Sequence, residues 1–153
     1  NDNSVGQVVV SGHKDAVEIA TALAAERGAK KAVTLPVSAP FHCSLMAPAA
    51  QRMSYALADT DIRPPHVPVV SNVTAKAVTE PSEIRTLLVD QITGMVRWRE
   101  SVLFMKESGV QRIVELGAGK VLCGLVKRID KEIETLNAGT PDEIEALIKT
   151  LQG

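Results

Sequence analysis

Segments with the apolar spacing of an amphipathic helix alternate with single short strand-like runs along nearly the whole sequence, which restricts the chain to an α/β or α+β architecture. The first run is Gln7 to Ser11. Ala16, Ile19, Ala20 and Leu23 then recur at i, i+3, i+4 and i+7, predicting a helix over His13 to Arg27 with Gly28 as a left-handed stop. Ala32 to Val37 reads as a second strand. Pro36 near its end places that strand at an edge or a terminus, because proline cannot donate to a ladder. Pro40 biases Ala39 away from helical dihedrals, so Ser38 to Ser44 is a loop. Met46, Ala49, Ala50, Met53 and Leu57 mark one face of the next helix, with Pro48 tolerated only in its first turn. His42 therefore precedes that helix rather than lying inside it.

After Pro64, Pro65 and Pro68, a short apolar strand covers Val67 to Ser71, and Asn72 to Ala75 is turn or ladder. Pro81 opens a helix carrying Ile84, Leu87, Leu88 and Ile92, which Gly94 breaks. Trp98 to Ser108 is a helix with Val102 and Met105 facing in. Arg112 to Leu116 reads as a buried strand, Gly117-Ala118-Gly119 as a turn, and Lys120 to Ile129 as a helix ending on Lys127 and Arg128. Glu134 to Leu136 is a brief strand. Thr140-Pro141-Asp142-Glu143 is a capping box with proline at the first helical position, feeding Ile144, Leu147, Ile148 and Leu151. No internal repeat is visible, and the proline-rich corner near residues 36 to 40 predicts a boundary between two subdomains. A strand-like run so close to a first residue that is not Met predicts that the chain continues upstream.

A 45% hydrophobic sequence of 153 residues is able to bury a core, so disorder is not the default. Seventeen basic and 18 acidic residues leave a net charge of -1, which provides no general field for nucleic acid or an anionic membrane. No apolar stretch approaches the roughly 20 residues of a membrane helix, and a soluble chain is expected. Cys43 and Cys123 have no CxxC pairing, which speaks against a disulfide framework or a zinc knuckle and for reduced thiols in a cytoplasmic protein. His13, His42 and His66 lack ligand spacing, so no metal site is expected. Gly117-Ala118-Gly119-Lys120 after a strand suggests a phosphate loop, but Leu122 stands where GxGxxG needs its third glycine and Val114 where a Walker A loop needs its first. A tight strand-to-helix turn is the better reading. Asn72-Val73-Thr74 matches a glycosylation sequon, which means little without a secretory signal.

An isolated histidine is usually structural or simply exposed. His42 differs in its setting: in a loop ahead of a helix N-terminus, the positive end of the dipole disfavours the imidazolium and favours a neutral base, as activation of a hydroxyl nucleophile requires. Cys43 is adjacent, but neighbouring side chains in a loop or first turn commonly diverge, so a Cys-His pair is not favoured.

Gly6 to Gly12 (GQVVVSG), Leu35 to Met46 (LPVSAPFHCSLM), Pro68 to Val73 (PVVSNV), Val96-Arg97-Trp98 and Glu115 to Leu122 (ELGAGKVL) resemble successive landmarks of malonyl-CoA:acyl carrier protein transacylases, in family order and over nearly the whole chain. The resemblance implies part of a large α/β-hydrolase-like subdomain, residues 39–153, preceded by the remainder of a ferredoxin-like small subdomain, residues 1–38. It implies type II fatty acid synthesis: a serine acyl-enzyme is formed from malonyl-CoA, and the malonyl group then passes to the phosphopantetheine thiol of acyl carrier protein. Malonyl-CoA is thus a substrate, and no cofactor is implied. His42 matches the general base and acid, while Gln91 matches the position whose main-chain carbonyl replaces a triad carboxylate, so its backbone is expected to matter more than its side chain. Phe41 resembles the bulky residue that narrows the acyl pocket, against the alternative of an ordinary buried aromatic. Lys127 and Arg128 match a basic pair implicated in docking the acidic carrier protein, against the alternative of a solvated helix end.

The nucleophilic serine of a G-H-S-x-G elbow is absent from this sequence. The resemblance therefore makes a missing N-terminal half of the same enzyme a required partner, and the chain alone is expected to be inert. Val5, Gly94-Met95 and Ala118 depart from the family pattern of Pro, Ser-Pro and Gly-Pro-Gly, which affects loop rigidity. Two other readings fit the same residues: a non-catalytic carrier-protein-binding module, and the acyltransferase domain of a polyketide synthase.

Overall fold

The computed structural model describes residues 1–152 and is a mixed α/β structure. Three small sheets, each of two strands, are tied together by helices. Near the N-terminus, β1 (Asp2–Ser4) pairs antiparallel with β2 (Gln7–Val8), and helix α1 (Lys14–Glu26) follows. A 3-10 turn at Ser44–Met46 leads into α2 (Ala47–Ala58), with proline in its first turn as the sequence requires. A tight hairpin of β3 (Val69–Val70) and β4 (Ala77–Val78) precedes α3 (Pro81–Asp90), and α4 (Trp98–Glu107) comes next. The chain then runs β5 (Arg112–Leu116), α5 (Val121–Ile129), β6 (Glu134–Ala138) and α6 (Pro141–Gln152), with β5 and β6 parallel and Val114 opposite Leu136.

The core lies between α4, α5 and the β5-β6 crossover. Val102 and Val126 are fully buried and Ile133 nearly so, with Trp98, Met105, Ile113 and Ile129 packed around them. Helix α5 presents Cys123, Leu125 and Val126 inward and leaves its last-turn cations, Lys127 and Arg128, in solvent. Strand β1 rests on α4 and α5, where Asp2 forms an ion pair with Arg99 at 2.7 Å. The capping box of α6 closes as read: the Glu143 N–H donates to Thr140 Oγ1 at 3.3 Å, and the Glu143 carboxylate accepts from the N–H groups of Thr140 and Gly139.

Three expectations need correction. Residues 32–37 form no strand: no segment among the described residues pairs with them, and Val33 and Val37 remain more than half exposed. The first strand is shorter than the run suggested, ending at Val8 and pairing with β1. Strand β5 is only partly buried and Leu116 is 70% exposed; β6 pairs with one edge of β5 and no strand pairs with the other among the described residues.

The start of α5 depends on a side chain from β5. Glu115 accepts hydrogen bonds from the N–H groups of Cys123 (2.8 Å) and Leu122 (3.1 Å), which the first turn of a helix leaves unpaired. The Cys123 amide, with Leu122 adding to it, holds the Glu115 carboxyl below the usual carboxylate range. A depressed carboxylate pKa adds stability above the unfolded-state value, and that stability is lost as pH falls through the folded value. We therefore expect wild type to melt above Glu115→Gln at neutral pH and the two melting temperatures to converge on acidification. A gap independent of pH would contradict the assignment.

Candidate active site

His42 lies in the turn between the loop at 38–41 and the 3-10 entry to α2, and its φ of 61° is left-handed. A non-glycine residue in that region costs about 1 kcal/mol or more, so the surrounding structure must hold it there. Two contacts shape the turn: the Phe41 N–H donates to Ala39 O at 3.0 Å, and the Cys43 thiol turns back to Pro40 O at 3.1 Å. The Cys43 thiol is thus committed away from the imidazole.

Helices α2 and α3 pack against each other, which brings the loop before one to the end of the other. His42 Nδ1 lies 2.8 Å from the main-chain oxygen of Gln91, 49 residues away in sequence. Gln91 caps the C-terminus of α3, where helix carbonyls have no intrahelical partner. Asp90 O receives the N–H groups of both Thr93 and Gly94, and the Gln91 oxygen faces the ring. A carbonyl can only accept, so Nδ1 carries the proton. In the neutral ring Nε2 is then an unprotonated base. A carboxylate is not needed to set this tautomer.

The Gln91 side chain is also engaged: its Oε1 accepts from Asn72 Nδ2 at 2.9 Å. In the sequence Asn72 reads only as part of a turn or ladder, a sequon and the Pro68 to Val73 block. No periodic or motif signal marks a lone amide, and the Pro68 to Val73 block was the one available hint. Beside this contact, a Cβ on Gly94 would lie 2.9 Å from Asp90 O and 3.4 Å from Val73 Cγ2. Gly94→Ala is expected to cost about 1–3 kcal/mol by overpacking, whereas Gly12→Ala, which meets open space, should not lower the melting temperature. Equal melting temperatures for the two variants would contradict this.

Phe41, adjacent to His42 in sequence, is 45% exposed in the described residues. Lys127 is exposed on the last turn of α5, and Arg128 beside it donates to the Gln7 side chain across the N-terminal hairpin. Neither is hydrogen-bonded to His42 or Gln91. Both cysteines are free. Cys123 is 7% exposed, and burial, with Glu115 nearby, pushes its thiol pKa up. A thiol reagent should accordingly modify Cys43 in the folded chain well before Cys123, and comparable rates would contradict that burial. Among the described residues no group of three His, Cys, Asp or Glu side chains gathers as a metal site, and no helix is long and apolar enough to cross a membrane.

No family model matches the chain. Individual proteins do. The malonyl CoA-acyl carrier protein transacylase of Bacillus subtilis is 43% identical over 152 residues, which are 99% of this chain and 48% of that protein. The crystal structure of acyl-carrier-protein-S-malonyltransferase from Bartonella henselae superposes with a TM-score of 0.86 at 47% identity, over 93% of this chain and 45% of that one. A malonyl-transacylase solved in complex with its type II polyketide acyl-carrier protein matches with a TM-score of 0.82 at 41% identity, over 90% of this chain and 45% of that one. The chain spans about half the length of the curated relatives it matches. Identity sustained from end to end, on a shared fold, makes this chain similar over its whole length to about one half of the malonyl CoA-acyl carrier protein transacylases.

Proposed function

We propose that the chain supplies the acid-base half of an acyltransferase that moves a malonyl group from malonyl-CoA to the phosphopantetheine thiol of acyl carrier protein. The observation that carries this reading is the 2.8 Å contact between His42 Nδ1 and the Gln91 carbonyl, which leaves Nε2 free for proton transfer. A serine from the rest of the protein attacks the thioester of malonyl-CoA while His42 Nε2 takes its proton. The imidazolium, steadied by the Gln91 oxygen, then returns that proton to the departing CoA thiolate. In the second half-reaction His42 deprotonates the carrier thiol, which attacks the malonyl-serine ester, and the proton returns to the serine oxygen. Atoms and protons balance over the cycle, and His42 ends as it began.

In this reading Phe41 narrows the acyl pocket beside the imidazole, and its exposure leaves it free to do so. Lys127 and Arg128 form the docking point for an acidic carrier protein, where surface charge mainly speeds association. Residues 39–153 belong to an α/β-hydrolase-like subdomain and residues 1–38 to a ferredoxin-like one. Gly153 lies outside the described residues.

The test is to mix the chain with an N-terminal complement carrying the G-H-S-x-G serine and to follow malonyl transfer to the carrier protein. Transfer is expected from the mixture and from neither part alone. Micromolar carrier-protein binding by the chain alone, with no transfer after complementation, would replace this reading with that of a binding module.

A further inference from the structure

We propose that Asn72 is a positioning residue for this transfer, acting on His42 through the side chain of Gln91; the inference rests on the reading of His42 as the acid-base group. The imidazole is oriented by a carbonyl that belongs to the first residue past α3. At the helix end this peptide keeps the Gln91 N–H bond to Leu87 O and the Ile92 N–H bond to Val89 O, both 3.1 Å, where the regular ladder stops. A tie from outside the helix is added to these: Asn72 Nδ2 donates to Gln91 Oε1 at 2.9 Å.

Asn72 is itself firmly placed. It follows β3 in a hairpin turn closed by the Ser71 N–H to Lys76 O (3.0 Å), the Ala75 N–H to Ser71 O (2.8 Å) and the Val73 N–H to Ser71 Oγ (3.3 Å). Ser71 and Ala75 are buried, and Ala75 holds a left-handed φ of 53° to complete the turn. The backbone of Asn72 makes a second tie, its carbonyl accepting from the Arg97 N–H at 2.9 Å. One residue thus pins both ends of the segment from Gln91 to Arg97, by its side chain at the start and its main chain at the end. Between those points a Cβ at Gly94 would meet Asp90 O and the Val73 side chain, so glycine suits the close approach. The orientation of the catalytic imidazole is transmitted from the β3-β4 hairpin through two amide side chains and one carbonyl.

Substituting the side chain of Asn72 leaves its main-chain tie to Arg97 in place, which makes Asn72→Ala a specific cut. In the complemented enzyme we expect kcat to fall roughly 10- to 100-fold, as for a catalytic group misplaced by about 1 Å, with KM for malonyl-CoA within about twofold. Gln91→Met, which keeps the carbonyl and removes the amide, should give the same loss, and the double variant should be no worse than either single one. A purely structural role predicts lower melting temperature at unchanged kcat, or additive losses, and either outcome overturns the proposal. A second readout does not depend on activity. In proton-nitrogen spectra of the full chain, the His42 Nδ1 proton should exchange slowly in wild type and be lost to solvent exchange in Asn72→Ala and Gln91→Met. Asn72→Asp, toward which the Gln91 amide can turn and donate, should restore it.

If Asn72→Ala does not fold, Gln91→Met decides alone: an intact ring resonance in that variant overturns the proposal. If His42→Ala retains full transfer, the acid-base reading falls while the ring resonance still tests the tie from Asn72. If His42 proves essential and Asn72→Ala keeps wild-type kcat, the tie is refuted and the reading of His42 stands.

Discussion

His42→Ala, paired with a complement that carries the serine, is expected to transfer malonyl roughly a thousandfold more slowly than wild type, within the range for loss of a positioned general base. The loss should fall on kcat, because no contact to the acyl group or to CoA is assigned to the ring. His42→Gly should be as inactive as His42→Ala but melt at a higher temperature. The φ of 61° at this position strains any side chain with a Cβ and suits glycine. The gap between the two variants is expected to be up to about 1 kcal/mol. Measured kcat with thermal melts of the three proteins checks both parts. Wild-type turnover in His42→Ala removes the acid-base assignment, and a less stable His42→Gly contradicts the strained turn.

Val126→Asp is expected to unfold the chain outright. Val126 is fully buried against Val102 and Ile133, with Trp98, Met105, Ile113 and Ile129 packed around them. Burying an unpaired ionisable group costs several kcal/mol, comparable to the total stability of a domain this size. Val5→Asp, at a position 73% exposed, should leave the melt within about 0.5 kcal/mol of wild type. A cooperative native-like melt for Val126→Asp would show that the α4-α5-β6 cluster is not what holds the chain together.

The part of the fold that stands on local rules was legible in the sequence. Helices α3 to α6 carry their own apolar spacing, and Pro81 and the Thr140 to Glu143 box fall at the expected ends. The failures are at strands. A strand needs a neighbour, and Ala32 to Val37 has strand composition but no partner among the described residues, so composition alone misled. β1 and β4 were missed for the opposite reason: Asp2–Ser4 and Ala77–Val78 have little strand character and are strands because β2 and β3 lie beside them. Leu116, 70% exposed, reads in the sequence as part of a buried strand because an apolar run does not show which surface the rest of the fold covers.

At the site, resemblance singled out His42 and Gln91, and the geometry brings these two together. A main-chain carbonyl has no signature in a side-chain pattern, so chemistry alone could not have found Gln91. Asn72 was missed because its importance lies in one 2.9 Å bond to an amide 19 residues away. The left-handed backbone of His42 was invisible for the same reason, since it comes from the Pro40-Phe41 turn and the packing of α2 on α3.

The tautomer of the His42 ring tests the central claim most directly, and nitrogen chemical shifts of the selectively labelled imidazole at alkaline pH report it. A proton on Nδ1 with an unprotonated Nε2 is the predicted result, because a carbonyl oxygen 2.8 Å from Nδ1 can only accept. A ring protonated on Nε2, or one averaging freely between the two forms, would mean that Gln91 does not hold the imidazole and that no base is presented there.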